Sequence, residues 1–361
     1  MSELLQTNGT PQDLKRKLLA TASAVSLLGV GTVAHAAGDL ASARPTLWVE
    51  IGGQFDVGQN SAQTWTPPNA PQPIVQPAFE PFGQMPDIGY DWNGKIAIQP
   101  ASSDWVFSAS VQFGKAKRGP KSTHDQANVT GYNLFGLPAP PTYAFTDSHT
   151  VSDTRHFVVD FQAGRDVGLG LFGKHSTSTI NLGIRMAQLT ESVHGTMTAQ
   201  VSAPNKYNAG INRYADMHAE RSFSGVGPSI DWNGVVHLIE SADDSLDLNW
   251  GGQAALLFGR QKANVTLHTK EVQFTTPFTG SAASYLRTHS TSISVRRKTV
   301  IVPNVGGFAG VSYNLGSRGK ISLGYRADFF FGAIDGGLTT RRSETRGFYG
   351  PFASVGFGLG D

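Results

Sequence analysis

The chain contains no cysteine, and only 16% of its 361 residues are charged. Without cysteine there is neither a disulfide framework nor a thiolate zinc site. The charges almost cancel, with 29 Lys and Arg against 27 Asp and Glu, so the basic excess that marks a nucleic-acid binder is missing. Aromatics make up 10% of the chain, more than a disordered polymer carries. Beyond the N-terminal region no stretch approaches the run of about eighteen apolar residues that makes an ordinary transmembrane helix. What is plentiful is glycine, at 42 residues, which leans towards β-structure with many turns.

Residues 1–36 have the make-up of a cleaved secretory signal peptide. Lys15, Arg16 and Lys17 form a positive n-region, Leu18 to Val33 an apolar stretch, and Ala34-His35-Ala36 a small-x-small cleavage site. Thr21, Ser23, Ser26 and Gly29 dilute the stretch, which falls short of the roughly 20 strongly apolar residues of a membrane anchor. Export is therefore expected, with residues 37–361 as the mature domain.

An exported chain without an apolar helix can still cross a membrane as a closed β-barrel, because closure pairs every backbone N–H and C=O. The signature is a segment of about ten residues alternating apolar with small or polar. It recurs here. Leu47, Val49, Ile51 and Phe55 alternate with Glu50, Gln54 and Asp56; Trp105, Phe107, Ala109, Val111 and Phe113 with Ser108, Ser110, Gln112 and Gly114. Leu246, Leu248, Trp250, Ala254, Leu256 and Phe258 oppose Asp247, Asn249, Gly251 and Gln253; Ile321, Leu323, Tyr325, Ala327, Phe329 and Phe331 oppose Lys320, Ser322, Gly324, Arg326 and Asp328. Weaker versions run through 87–99, 156–165, 179–188, 221–233, 304–313 and 347–359. The expected fold is an all-β, antiparallel, up-and-down transmembrane barrel of about ten strands (8–12).

A soluble sandwich also alternates, so connection lengths help to choose. Long links are expected at 57–86, 115–155, 190–220 and 261–300, and short ones near 100–104, 241–245 and 314–319. This is the pattern of long external loops and short periplasmic turns. Trp92, Trp105, Trp232 and Trp250 lie on apolar faces within several residues of a short turn, where an interfacial aromatic girdle belongs. Asp91-Trp92-Asn93-Gly94 recurs as Asp231-Trp232-Asn233-Gly234, suggesting equivalent strand positions.

Four segments carry a family resemblance: Glu220–Pro228 (ERSFSGVGP), His156–Phe161 (HFVVDF), Asn249–Ala254 (NWGGQA) and Gly347–Phe352 (GFYGPF). They resemble the Legionella-type pore-forming major outer-membrane proteins. The resemblance implies a multi-pass barrel in the outer membrane of a Gram-negative bacterium, acting as a pore.

If the apolar faces meet lipid, the lumen receives Glu50, Gln54, Asp56, Asp91, Asp160, Gln162, Arg185, Asp231, Asp247, Asn249, Gln253, Arg326 and Asp328. These are the candidate pore-lining residues. Acids outnumber bases among them, and carboxylate rings favour cations. The expected function is diffusion of ions or small polar solutes through a polar, net acidic lumen, without cofactor or metal and without catalysis. Charges paired across a filled interior are the competing arrangement.

Two other functions stay open. A structural or adhesive surface barrel would not conduct. A hydrolase would need an acid and histidine constellation. His156 and Asp160 on one strand would lie about 13 Å apart, and His218 with Asp216 or Glu220 lacks a clear nucleophile. His124, His149, His194, His268 and His289 fall in the expected loops. Gly168 to Gly173 formally matches a dinucleotide fingerprint but leads into no helix. Basic residues gather in the expected loops: Lys115, Lys117, Arg118 and Lys121; Arg287, Arg296, Arg297 and Lys298; Arg341, Arg342 and Arg346. They suit the phosphates of lipopolysaccharide. The partners expected are outer-membrane lipid and lipopolysaccharide, with a homo-oligomer possible and nucleic acid excluded.

Overall fold

Period-two patterning builds strands, and ten of them pair in sequence order until the first meets the last. The computed structural model describes residues 46–60, 87–101, 103–129, 142–167, 176–201, 210–241, 244–275, 284–315, 318–338 and 340–359. The strands are β1 (Thr46–Asn60), β2 (Asp87–Gln99), β3 (Trp105–Val129), β4 (Thr142–Asp166), β5 (Ser176–Val201), β6 (Gly210–Glu240), β7 (Asp244–Thr275), β8 (Ser284–Leu315), β9 (Gly319–Asp335) and β10 (Ser343–Leu359). All neighbours are antiparallel, and β1 closes on β10 from Leu47 opposite Leu359 to Asn60 opposite Arg346. Closure leaves no sheet edge, the condition for strands to enter lipid. The expected signal peptide (residues 1–36), residues 61–86 of the proline-rich link, and Gly168–Gly173 lie outside the described residues.

The outside of the wall is apolar. Ile51, Phe55, Ile96, Phe107, Ile184, Phe258, Leu323 and Phe357 are exposed, while Gln54, Asp56, Asp91, Asp160, Arg185, Asp247 and Asp328 are buried. A soluble protein does the reverse. Exposed grease around a buried polar interior is stable only where hydrocarbon replaces water. Together with the closed ten-strand topology it makes this an outer-membrane barrel.

The strands differ greatly in length. β1, β2, β9 and β10 have 15, 13, 17 and 17 residues, and about ten cross the apolar band. β7 and β8 have 32 each. Much of what the sequence suggests as long loops at 115–155, 190–220 and 261–300 is continuous ladder. The reason lies in the phase of the alternation. Within the membrane, outward residues are apolar and inward ones polar. Above it, outward positions meet water: His194, Asp216, His218 and Glu220 point out, while Val193, Met197, Ala215, Met217, Ala219 and Val265 form a buried apolar cluster inside. The geometry is unchanged and the pattern inverts.

Proline and glycine mark the irregular points. The β3–β4 register shifts between Arg118 and Lys121, across Gly119-Pro120, since proline has no N–H to give a ladder. Gly332 is in the left-handed region at φ 65°, a conformation a side chain would strain. It allows β9 to turn its last residues inward, so that the consecutive Ala333 and Ile334 are both buried.

Candidate functional site: the barrel lumen and its rims

Each candidate lining residue comes from a strand position whose parity points it inward. Gln54, Asp56, Asp91, Asp160, Arg185, Asp247, Asn249 and Asp328 are buried. Glu50 accepts from Ser354 Oγ at 2.6 Å, and Gln162 donates to Asp231. Gln253 accepts from Arg185 Nη2 at 2.9 Å, and the Arg326 guanidinium lies 5.1 Å from the centre of the Phe352 ring. All thirteen therefore face one interior.

That interior is filled in layers. Near the periplasmic end His237 Nδ1 stands 2.7 Å from Asp247 Oδ1, and Asn314 donates to Asp247 Oδ2. In the middle Arg185 donates from Nε and Nη2 to the two oxygens of Asp160, at 2.6 and 3.0 Å. Arg185 Nη1 also reaches Asn304 Oδ1, and Asn304 Nδ2 donates to Asp328 Oδ1 at 2.6 Å. One guanidinium thus ties β4, β5, β7 and β8 together, with Asn304 carrying the link on to β9. Charge-assisted bidentate contacts of this kind are the strong ones. They also neutralise charge that a conducting ion would otherwise meet.

Above this network Val158, Leu189, Phe223, Leu257, Val302, Phe330 and Phe348 form an apolar layer inside the barrel. Phe223, Leu257, Val302 and Phe330 are each 0% exposed, so no water column runs between them. The layer hangs from β4 to β10. The facing wall bears none of it: its inward side chains are Gln54 and Asp56 on β1, Asp91 and Asn93 on β2, and Ser108, Ser110 and Gln112 on β3. His156 bridges the halves, its ring centre 4.0 Å from that of Phe348. A barrel of this size has little room beyond its own side chains, and here they occupy it.

At the outer rim Glu191 is held between two arginines, Arg221 Nη1 at 3.1 Å and Arg346 Nη2 at 2.7 Å. All three side chains are almost wholly buried. Glu191 and Arg221 are absent from the candidate lining residues because they sit where the alternation changes phase, and Arg346, expected among the loop cations, is buried in the lumen. Lys95, on the lumen face of β2, is likewise absent from the candidates. With Lys95, Arg221 and Arg346 added inside, the excess of acids narrows. The signal that could have found Arg346 was its spacing of two and four residues from the inward Phe348 and Gly350.

The β9–β10 connection roofs this rim. Arg296 donates to Asp335 Oδ2 at 2.7 Å, to Leu338 O at 2.8 Å and to Gly337 O at 2.7 Å. Burial pushes the Asp335 carboxyl up, but the Arg296 hydrogen bond and the backbone N–H groups of Arg342 and Gly337 outweigh it and hold it below the usual carboxylate range. Leu338 packs on the apolar cluster beneath. Arg296, Arg341 and Arg342 are thereby engaged within the chain, Arg341 with Gln261 and Arg342 with Glu344.

Of the four girdle candidates, Trp92 and Trp105 are exposed on the outer face. Trp232 and Trp250 pack edge to face at 5.1 Å, and Trp232 Nε1 donates to Ser178 Oγ at 2.7 Å. Trp105 opens β3 at the periplasmic end; the other three stand several residues further up their strands. Asp91 and Asp231 both face in, and Trp92 and Trp232 both face out, so the repeated tetrapeptide does mark equivalent positions.

The histidine candidates separate. His156 pairs with Asp91 at 2.8 Å, and Asp160 pairs with Arg185. His194 meets Asp216 at 3.1 Å and His218 meets Glu220 at 3.5 Å on the exposed outer face. His149 shares a hydrogen bond with Ser122 Oγ, and His268 with Thr291 Oγ1.

The family model described as Legionella pneumophila major outer membrane protein precursor matches residues 122–358. The chain belongs to this family. No curated protein matches the sequence. Among solved structures the chain is similar to the outer membrane protease OmpT from Escherichia coli, at 10% identity over 87% of this chain and 97% of that one, with a TM-score of 0.42. It is also similar to the translocator domain of the autotransporter NalP from Neisseria meningitidis, at 8% identity over 96% and 95%, TM-score 0.21. The toluene transporter TbuX from Ralstonia pickettii matches at 7% identity over 86% and 90%, TM-score 0.18. Membership of the family agrees with the bacterial outer-membrane location that the inverted surface requires.

Proposed function

We propose that this family member is an outer-membrane pore for ions or small polar solutes, closed in the conformation described. One observation carries the reading: above Trp48 and Val106 at the periplasmic end, the wall formed by β1, β2 and β3 is polar or small on its lumen side up to Asp56 and Ala116. Among the described residues, side chains fill the space beside it, and the β9–β10 connection covers the outer rim above them. Glu50, Gln54, Asp56, Asp91, Asn93, Ser108, Ser110 and Gln112 form a hydrophilic file, and the apolar layer opposite closes on it. Passage follows that file when the layer withdraws. Acids remain in excess of bases along it, giving weak cation preference.

Single-channel recording of the refolded mature protein in planar bilayers tests this. Small, flickering conductances with a cation-directed reversal potential are expected. Silence at all voltages would favour the second reading, a surface barrel whose work is done by its extracellular extension. That reading draws on the buried apolar lining of the extension, which makes it a stiff platform. Neither reading involves catalysis.

We propose the outer wall as the site of the lipid partner. Arg260 and Lys262 on β7 and Arg297 on β8 are exposed, point outward, and sit just above Phe258 and Ile301. Lys262 and Arg297 are register partners. Three cations bordering the apolar band suit lipopolysaccharide phosphates. Replacing all three by alanine is expected to abolish retention of lipopolysaccharide in native mass spectra while leaving phosphatidylethanolamine adducts unchanged.

A further inference from the structure

One buried cluster at the upper end of the hydrophilic file takes no part in the charge networks centred on Arg185 and Glu191. Asp56 on β1, Asp91 on β2 and His156 on β4 are 0%, 3% and 2% exposed. One possible ligand atom from each lies within 4.8 Å of the other two. β3 stands between β2 and β4, so a carboxylate and an imidazole on those strands would normally be held apart. They meet because the intervening residue is Gly114, in register with Asp91 on one side and with His156 on the other. A Cβ at 114 would fall on Asp91 Oδ1 and on the imidazole of His156.

The cluster is chemically incomplete. His156 Nε2 lies 2.8 Å from Asp91 Oδ1, and Gln112 donates to Asp91 Oδ2 at 2.6 Å. Neither Asp56 oxygen has a side-chain hydrogen-bond partner, and the backbone N–H of Tyr349 is the one donor that acts on it, at poor geometry. Burying an unpaired carboxylate costs several kcal/mol, and here a second carboxylate beside it adds repulsion. A cation resting against all three groups removes both penalties.

We propose that Asp56, Asp91 and His156 hold one divalent transition-metal ion of the Zn²⁺ class. Two carboxylate oxygens and one imidazole nitrogen form a three-ligand set that leaves a further position open. The imidazole disfavours Mg²⁺ and Ca²⁺, which prefer oxygen alone. Donors about 2.1 Å from a tetrahedral ion lie about 3.4 Å apart, so a small inward rotation closes the wider pair. Gln112 fixes the Asp91 carboxylate and Phe348 fixes the imidazole plane, the second layer such sites require. Asp56 pairs with Gly89, two positions below the last β1–β2 pair, Gly58 with Asp87; the ion enters from the extracellular mouth. Bound there, it pins β1, β2 and β4 across the short wall. The proposal is independent of the pore reading, since a non-conducting barrel would hold the ion equally well.

The test uses the full folded chain in detergent, stripped with a chelator and supplied with ZnCl₂ or MgCl₂. Expected are one Zn²⁺ per chain after gel filtration, no retained Mg²⁺, and a higher melting temperature with zinc. Asp56→Asn and His156→Gln should each lower zinc occupancy at least tenfold, and Gln112→Ala should weaken affinity by about tenfold. Zinc X-ray absorption of the unaltered protein reads the ligand set without any variant: one imidazole with oxygen donors is expected. Two or more imidazoles, as the exposed His194 and His218 would supply, overturn the proposal. So does occupancy below one in ten chains, or an Asp56→Asn protein that folds and binds zinc as well as the original.

Discussion

At the scale of single residues, the interior depends on a few charges that cannot be left alone. Glu191 is the shared acceptor of Arg221 and Arg346, and all three are withdrawn from water. Glu191→Ala would strand two guanidinium groups and is expected to cost about 3–5 kcal/mol. Denaturant unfolding of the detergent-folded barrel, followed by its heat-modifiable gel mobility, checks this. Asp335 gives a pH prediction. Its folded carboxyl lies below the ordinary value of 3.8, so its contribution is complete above that value and disappears as pH falls through the folded one. A nitroxide label at the exposed Thr340 should stay immobile from neutral pH down to about 4 and become mobile only in stronger acid. In Asp335→Asn it should be mobile throughout.

At the scale of elements, the phase inversion makes paired predictions along one strand. On β5, Ile184 and His194 both point outward. Ile184→Lys puts a charge into hydrocarbon and should cost about 2–4 kcal/mol if it sits at the midplane. His194→Lys meets water and should stay within about 0.5 kcal/mol. Equal penalties, measured by unfolding in lipid vesicles, would mean that the extension is embedded as well. The same inversion explains what was legible. Ten alternating segments were readable because lipid demands apolar side chains at every second outward position, and Ile51, Phe107 and Phe258 announce it. The upper halves of β3 to β8 were not. There His194, Asp216 and His218 on the outside and Met197, Met217 and Val265 on the inside alternate with opposite meaning, and a polar outward row reads as loop.

At the scale of the whole molecule, function turns on whether the lumen can open. The apolar layer is anchored on β4 to β10 and closes on a polar wall, so trimming it should widen the path without breaking a charge network. The double variant Leu257→Ala with Phe330→Ala is expected to raise single-channel conductance several-fold over the unaltered protein. Its stability should fall by several kcal/mol, since each deletion leaves a cavity costing about 2–5 kcal/mol. Unchanged conductance in a folded double variant would count against the proposed path and for the surface platform.

The amino-acid sequence by itself determined the class of this protein. Period-two patterning, glycine richness and the absence of apolar helices admit a strand-built membrane wall, and parity along each strand already sends all thirteen lining residues inward. Only the tertiary structure decided what those residues do once there. Parity is local, whereas partners are set by register, which puts Arg185 opposite Asp160 and Arg221 opposite Glu191 and lets His156 reach Asp91 over Gly114, and by closure, which adds Asn304 to the first pair and Arg346 to the second. Whether an inward acid faces water, an arginine or another acid depends on which strands lie opposite across the barrel, and that is a property of its circumference and stagger.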